Sequence, residues 1–499
     1  MAEVIGLGTD VHPKEGHGGS GSPGNEGDQL TMLSDYLSEA VEGGVGQHDR
    51  KVDKIVEAKM AVALGEQCQR RNFRYGNGYI MAFDGKAYRL MTDKEVECMI
   101  VQALEKKAVG MVYTVNSVNV IRKHIERKVV REYRPRKHLV SFDNLVLNMD
   151  DGQTYKHAED LETNIRIPYD YNPRAKCPVF LKFLHEVLPN EEVVKTLQEF
   201  AGALFVDRRK FKIENILFLI GVGQNGKGVF AEALQDTLGA GNYTTFSVDR
   251  LVKASDKAGN VAAMNGKVAN ICPDMSKGDI SGGDFKTIVS GEGIQARFQY
   301  GRSFIANDLP LIIANVNEMP VTTDHTFGHH RRPLPIPFNV TISNEAKDVE
   351  LPMKLRNEVS GIFNWVYEGR KRFVEQNGKF TESIEIELAK ERIRIESNSA
   401  LQFLQDKMFS REYSDGATEL FMTNQEIYRQ YETYCRDYGK RNLFESGSIS
   451  KILMAEGYVQ VRKMNGRGYT FYVGGKRYND LSEVAVSREQ VAVDLDLPF

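Results

Sequence analysis

One stretch, ENILFLIGVGQNGKGVFAEAL, constrains this chain more than any other. Ile216 to Ile220 are all apolar and have the length of a buried strand. They run into Gly221-Val222-Gly223-Gln224-Asn225-Gly226-Lys227, and then into a helical pattern carrying Phe230, Leu234 and Leu238 on one face. A strand, a glycine-rich turn and a helix start together make a cradle for phosphate groups. Backbone N–H groups of the turn point inward, the helix dipole favours an anion, and the lysine reaches the outer phosphates. In this reading Gly221, Gly223, Asn225, Gly226, Lys227, Gly228 and Val229 form the cradle. The position after the lysine, which usually offers a Ser or Thr hydroxyl to Mg²⁺, is Gly228. A metal ion would therefore rest on water, on the nucleotide and on an acid from elsewhere.

At 499 residues and 41% apolar content, the chain has enough material for two to four domains. Charged residues make up 27%, and no stretch approaches eighteen uninterrupted apolar residues. The start lacks a basic segment followed by an apolar run, so the expectation is a soluble protein with no membrane partner, in a cytoplasm such as that of a bacterial host. The five cysteines are scattered without a CxxC pair, which predicts reduced, mostly buried thiols and no zinc ribbon. The net charge is only −3, so any contact with nucleic acid must be local, as in a channel or a small module.

Along the chain, residues 1–29 are rich in Gly, Ser and Pro and read as a disordered tail. A first folded region is expected over 30–209. It has helical patterns near 30–41, 50–68, 93–108, 116–130 and 180–209, a hairpin in YIMAF-DG-KAYRLM around Asp84-Gly85, and the strand pair HLVSF and LVLNM. The run Arg122–Lys137 holds eight Lys or Arg against two Glu, and reads either as a solvated helix face or as a phosphate-contacting collar. From 210 to 345 strands alternate with helices, the signature of a doubly wound α/β domain. Helical periodicity follows over 346–411, a helix–helix–hairpin segment over 412–478, and a flexible acidic tail over 479–499.

Past the cradle come NGKVANICPDMSKGDISGGDFKTIVSGEGIQARFQYGRSFIANDLPLIIANVNEMP and DHTFGHHRRPLPIPF, preceded far upstream by FDNLVLNMDDGQ and YDYNPRAKCPVFLKFL. In this order, over roughly 140–340, the chain resembles the superfamily 3 helicases, in particular their poxvirus and phage-satellite primase–helicase branch. The resemblance implies an AAA+-like P-loop ATPase core behind an α+β pre-helicase domain, using ATP and Mg²⁺ and working on DNA as a ring, by expectation a hexamer moving 3′→5′. It implies Asp274 as the Walker B acid and metal contact, although the family usually has Glu, often beside a second acid, where this chain has Pro273 and Met275 as neighbours. It implies Asn317 as the sensor of the terminal phosphate, with Asn315 on the same strand face, and Arg331-Arg332 as an arginine finger reaching a neighbouring subunit. The segment IQARFQY-GR-SFIAN reads as a hairpin with Gly301-Arg302 at its tip. In this superfamily such a hairpin grips the DNA backbone, which would engage Arg302 supported by Lys286 and Arg297; an internal salt bridge is the alternative for Arg297.

The C-terminal segment has the order of a winged helix, with Ser448–Glu456 as recognition helix and residues 465–468 as wing tip. Arg462, Lys463 and Arg467 make the wing basic, suited to DNA; a protein-binding or structural role is the other reading. The end, Asp494 to Phe499, resembles the acidic, Pro-Phe-ending tip of bacterial single-strand-binding proteins, which implies host replication proteins as partners, unless it is a frayed terminus. Two other functions stay open: an ATP-gated origin-recognition or loading factor with weak hydrolysis, and the helicase part of a primase–helicase.

Overall fold

The structure, a computed structural model, describes residues 61–473 apart from 67, 69–71, 77–78, 108–114, 130, 253–255, 276–281, 300, 302, 320–328, 330, 344, 346 and 441–442. The expected N-terminal tail, the helix near 30–41 and the acidic C-terminal tail with Asp494–Phe499 lie outside the described residues.

The first unit is an antiparallel sheet of β1 (Arg74–Gly76), β2 (Tyr79–Phe83) and β3 (Tyr88–Leu90), covered by the helices Asp93–Lys107 and Val115–Lys128. Ile80, Ala82, Met91, Val96, Ile100, Ile121 and Ile125 close its core. The hairpin read around Asp84-Gly85 is present, but the register pairs Phe83 with Tyr88 and so leaves a four-residue loop, Asp84–Ala87, rather than a two-residue turn. The Asp84 carboxylate holds that loop, accepting from the backbone of Lys86 at 2.9 Å and of Ala87 at 2.8 Å.

Next comes a four-stranded sheet of β4 (Leu139–Ser141), β5 (Val146–Asn148), β6 (Thr154–Tyr155) and β7 (Ile165–Arg166), in the order β6-β5-β4-β7. Its junction with the first unit is polar. The Tyr88 amide donates to the Thr163 carbonyl at 2.7 Å, and the buried Arg74 guanidinium meets Glu162 at 3.1 Å. Removing either partner of that pair would strand a charge away from water, so it binds the two sheets into one arrangement.

The centre is a five-stranded, wholly parallel sheet: β8 (Ile216–Ile220), β9 (Tyr243–Thr244), β10 (Ala269–Cys272), β13 (Leu311–Val316) and β14 (Pro333–Pro337), in the order β14-β8-β13-β10-β9. The strands are apolar runs because both faces are covered. Leu217, Leu219, Leu311, Ile313, Leu334 and Ile336 point to one face, into a core shared with the helices Pro178–Val187, Glu191–Ala203, Lys227–Leu238 and Val359–Glu375. Ile216, Phe218, Ile312, Ala314 and Val316 point to the other, against the helices Val248–Val252, Lys257–Met264 and Gly283–Ser290. The first core runs without a break from Val140 to Ile386 and so spans the boundary expected at 209/210.

Beyond β8 the chain crosses to the far edge at β9, fills back through β10 to β13, and then passes over β8 to β14. The neighbours β8 and β13 therefore send their outgoing connections opposite ways, one towards β9 and the other towards β14, and in an open parallel sheet the crevice at the carboxyl ends beside such a switch is where ligands bind. Last, β15 (Thr418–Thr423), β16 (Gln460–Lys463) and β17 (Gly466–Val473) form an antiparallel sheet in the order β15-β17-β16. It packs with the helices Ser399–Asp406, Asn424–Asp437 and Ser446–Ala455 around Phe403, Tyr431 and Tyr469. The expected helix, helix, hairpin order is present, with β15 as a further strand. No helix among the described residues is long and apolar enough to cross a membrane.

Candidate nucleotide site

The glycine-rich turn leaves the carboxyl end of β8 and enters the Lys227–Leu238 helix. Gly223 and Gly226 take positive φ, 104° and 87°, and Gln224 between them is also left-handed at 48°. At Gly226 the requirement is double, because a Cβ there would lie 2.9 Å from Phe183 and 3.0 Å from Val187. The Pro178–Val187 helix therefore presses directly on the turn. Two further contacts hold it from the side. The Asn225 amide donates to the Phe338 carbonyl at 3.1 Å, and the Ile342 N–H donates to the Gln224 carbonyl at 2.8 Å. Gly228 has open space instead: a Cβ would meet nothing within 4 Å.

Lys227 is buried and turned back over the loop, donating to the Gly221 carbonyl at 2.5 Å and to Asn225 Oδ1 at 3.0 Å. Burial lowers the pKa of its ammonium, and the nearby Asp274 carboxylate opposes the shift. A lysine desolvated at the mouth of a helix N-terminus, satisfied only by a carbonyl and an amide oxygen, is a cation ready for an anion of higher charge.

Asp274 lies two residues past β10 and is exposed. The Cys272 thiol donates to its carbonyl at 3.2 Å, and the Met275 N–H donates to the Asn315 carbonyl at 3.1 Å, so the acid is tied to the end of β13. Asn317 follows β13 directly and is exposed. Asn315, by contrast, is buried on the face of Leu311 and Ile313, and its Oδ1 is buried without a hydrogen-bond partner. An orphaned amide oxygen in a polar crevice is costly unless a water or ligand group completes it. Since β8, β13 and β10 are neighbours, the turn, Asn315, Asn317 and Asp274 converge at one end of the sheet.

The arginine pair stands at the opposite end. Pro333 pairs with Ile216, so Arg331 and Arg332 precede the amino end of β14 while the turn follows the carboxyl end of β8. Six residue steps, from the level of Asn215 beside Arg332 to Gly221, separate the two positions by about 20 Å. Neither arginine serves the turn of its own chain. Arg332 is buried and donates to Ser290 Oγ at 2.9 Å; Arg331 is half-exposed and ion-paired with Glu214.

The segment read as a DNA-gripping hairpin pairs β11 (Ile294–Ala296) with β12 (Phe304–Ala306). Its connecting loop is anchored on the first unit: Phe298 meets Tyr79 edge-on at 5.1 Å, and a Cβ at Gly301 would run into the Tyr79 hydroxyl. Arg297 is exposed, Lys286 sits half-buried on the Gly283–Ser290 helix, and Arg302 lies outside the described residues. Much of the basic run Arg122–Lys137 is matched by acids: Arg122 faces Asp93 at 3.5 Å and Glu97 at 3.6 Å, and Lys137 holds Asp308 at 2.5 Å. These pairs favour the solvated-face reading over the collar. In the C-terminal hairpin, Lys463 pairs with Gly466, which puts Met464-Asn465 at the tip, ahead of the position expected at 465–468. Arg462 and Arg467 stand directly opposite each other, both exposed, and Lys463 is shared between Glu419 at 3.3 Å and the Phe421 ring at 4.8 Å. Two cations facing across strands repel, an arrangement that an anion between them relieves.

Several contributors to the site carry no signal of their own in the sequence. Phe183, Val187 and Phe338 brace the turn and Glu214 and Ser290 hold the arginines through tertiary contacts alone. Gln224 in a left-handed conformation is equally silent, because nothing in its residue type asks for it.

Fold and crevice together define a mixed α/β protein with a parallel sheet and a glycine-rich turn at the carboxyl end of β8, beside β13. Residues 53–189 match the family described as D5 N terminal like, and residues 219–332 match a family of unknown function, DUF5906. Among solved structures, the A form apo structure of the NrS-1 C-terminal region is similar at 11% identity over 81% of this chain and 96% of that one, with a TM-score of 0.42. A second A form apo structure of that region, residues 305–718, is similar at 12% identity over 82% and 98%, with a TM-score of 0.41.

Proposed function

We propose that this chain is an ATP-driven DNA helicase of the superfamily 3 type, a motor of phage, plasmid or viral DNA replication that works as a ring in the cytoplasm of a bacterial host. The observation that carries the reading is the convergence of Lys227, Asp274 and Asn315 at the carboxyl ends of β8, β10 and β13. The two family matches, which flank and include the turn, support relatedness to the primase–helicase group.

In this account the turn from Gly221 to Gly228 binds the phosphates of ATP through backbone N–H groups, and Lys227 exchanges its two oxygen acceptors for phosphate oxygens. Asp274 is the residue that would hold Mg²⁺, together with water and nucleotide oxygens, and the ion would supply positive charge against the phosphates. Asn315 and Asn317 position the attacking water or the terminal phosphate, the buried Oδ1 of Asn315 gaining the partner it lacks. Because the arginines lie a strand length from their own turn, a finger can act only on a neighbouring subunit. Arg331 is the more accessible of the pair, and Arg332, held on Ser290, positions the corner. Lys286, Arg297 and Arg302 contact DNA in the channel, and a C-terminal winged helix adds Arg462, Lys463 and Arg467. The Asp494–Phe499 tip recruits host replication proteins.

Strand separation on a forked duplex tests this directly. The expected result is ATP-dependent release of the labelled strand, faster on a 3′-tailed than on a 5′-tailed fork; no release on any fork with ATP and Mg²⁺ sinks the helicase reading. A second reading is favoured by Gly228 and by a lone acid at Asp274: a nucleotide-gated origin-binding or loading factor that hydrolyses poorly. DNA-independent, very slow phosphate release alongside tight nucleotide binding would select it.

A further inference from the structure

At the amino ends of the same strands, away from the glycine-rich turn, lies a cleft of about 400 Å³. Ile213, Asn215 and Leu334 form its floor, and the start of the Ile384–Glu396 helix forms one wall. Ser383 is the residue before that helix. Its backbone is extended, as a capping residue requires, yet its side chain makes no capping bond. The residue is only 3% exposed, and its Oγ is buried with no hydrogen-bond partner. The Ser383 carbonyl is used by the Glu387 N–H at 3.0 Å, whereas among the described residues the N–H groups of Ile384, Glu385 and Ile386 meet no backbone acceptor. A helix of 13 residues thus opens onto the cleft with its first amides unspent and a hydroxyl waiting beside them.

The charges around the cleft suit an anion of small size. Lys212, Lys379 and Lys390 line it, as do Glu382 and Glu387. Lys390 is engaged by Glu387 at 2.7 Å, so Lys212 and Lys379 are the cations left to meet a ligand, and Glu382 is the acid it must avoid. Asn215 connects the floor to the arginine corner, its amide donating to the carbonyls of Arg331 and Arg332 at 3.3 Å each.

We propose that this cleft is a second phosphate-binding site, in which a phosphate group takes the Ser383 hydroxyl and the first amides of the Ile384–Glu396 helix, with Lys212 and Lys379 closing on it. A buried hydroxyl that neither caps its own helix nor finds another acceptor is what separates this helix start from an ordinary one. The phosphate is either a free ion or part of a nucleic-acid backbone, and the chemistry of the cleft is the same for both.

The test uses the full chain with Lys227→Ala, so that phosphate binding at the glycine-rich turn is suppressed. Inorganic phosphate is titrated while the thermal midpoint is followed, and a labelled oligo-dT strand is titrated by fluorescence anisotropy. Phosphate should raise the midpoint of the Lys227→Ala protein. Adding Ser383→Ala should remove most of that rise, and adding Lys212→Ala with Lys379→Ala should weaken binding about tenfold or more. Without phosphate, Ser383→Ala should be as stable as its parent or more so, because it deletes an unsatisfied buried group. Displacement of phosphate by oligo-dT, lost on changing the two lysines, assigns the site to a nucleic-acid backbone; phosphate binding without displacement assigns it to a free ion. A phosphate effect that is absent, or unchanged by all three substitutions, overturns the proposal. So does a Ser383→Ala protein that is clearly destabilised without phosphate, since the hydroxyl would then be structural.

Discussion

Gly228→Ser puts a hydroxyl where this turn lacks one, and its consequences can be worked from the structure. Gly228 is the second residue of the Lys227–Leu238 helix, is exposed, and a Cβ there meets nothing within 4 Å. Its φ is not among the positive values of the turn, so a side chain brings no backbone strain. Replacing a helical glycine by serine should stabilise the fold by about 0.5 kcal/mol. The functional gain should be larger. A hydroxyl offered to a charged partner is worth about 1.5–3 kcal/mol, and each 1.4 kcal/mol is about tenfold, so the Mg²⁺ concentration giving half-maximal ATP turnover should fall at least about tenfold. Gly228→Ala separates the two effects, since it shares the helix gain and has no oxygen. The assay is ATP turnover against free Mg²⁺ for the three proteins, with thermal melts alongside. A serine variant that melts normally but keeps the parent's Mg²⁺ dependence, or shares the alanine variant's, would refute the reasoning that Gly228 faces the metal.

Gly226→Ala should destabilise by about 3 kcal/mol, because it combines a left-handed backbone with a Cβ only 2.9 Å from Phe183; a thermal midpoint within a degree of the parent's contradicts it. Arg331→Ala should cut turnover by about 10³-fold or more with nucleotide affinity kept, whereas Arg332→Ala, which breaks the bond to Ser290, should also lower the melting temperature. Mixing the Arg331→Ala and Lys227→Ala proteins should restore part of the activity, and its absence at every ratio argues against a site shared between subunits. Replacing both Arg462 and Arg467 by Ala should stabilise the hairpin slightly, by ending their mutual repulsion, and flatten the salt dependence of DNA binding by about one to two units of log–log slope. A slope equal to the parent's would place the DNA elsewhere.

The parallel sheet was legible because its strands announce themselves twice, as apolar runs and by the turn chemistry that follows them. Ile216–Ile220 into Gly221–Lys227 and Leu311–Val316 into Asn317 read correctly as strand ends bearing polar groups. Strand order was not legible, since nothing local to β14 says that it lies beside β8 rather than β13. The division at 209/210 followed a change in periodicity, whereas the core crosses it through contacts such as Phe183 on Gly226, which depend on packing between distant segments. The two-residue turn read at Asp84-Gly85 gave way to a longer loop because the Asp84 carboxylate captures two backbone amides, which a dipeptide signal does not encode. Asn317 is the sensor that the resemblance implies, with Asn315 on the same strand face by alternation. Only burial separates the orphaned amide of Asn315 from the exposed side chain of Asn317.

The most direct test of the central claim is phosphate release from ATP by the intact chain, measured with and without forked DNA and beside Lys227→Ala. Lys227 is turned onto the Gly221 carbonyl and Asn225 Oδ1 at the mouth of the cradle rather than serving the apolar core, so its loss should leave the fold standing. The account predicts hydrolysis that rises several-fold with DNA and vanishes in the variant while its melting temperature holds. Turnover in a folded Lys227→Ala protein equal to that of the parent would contradict it.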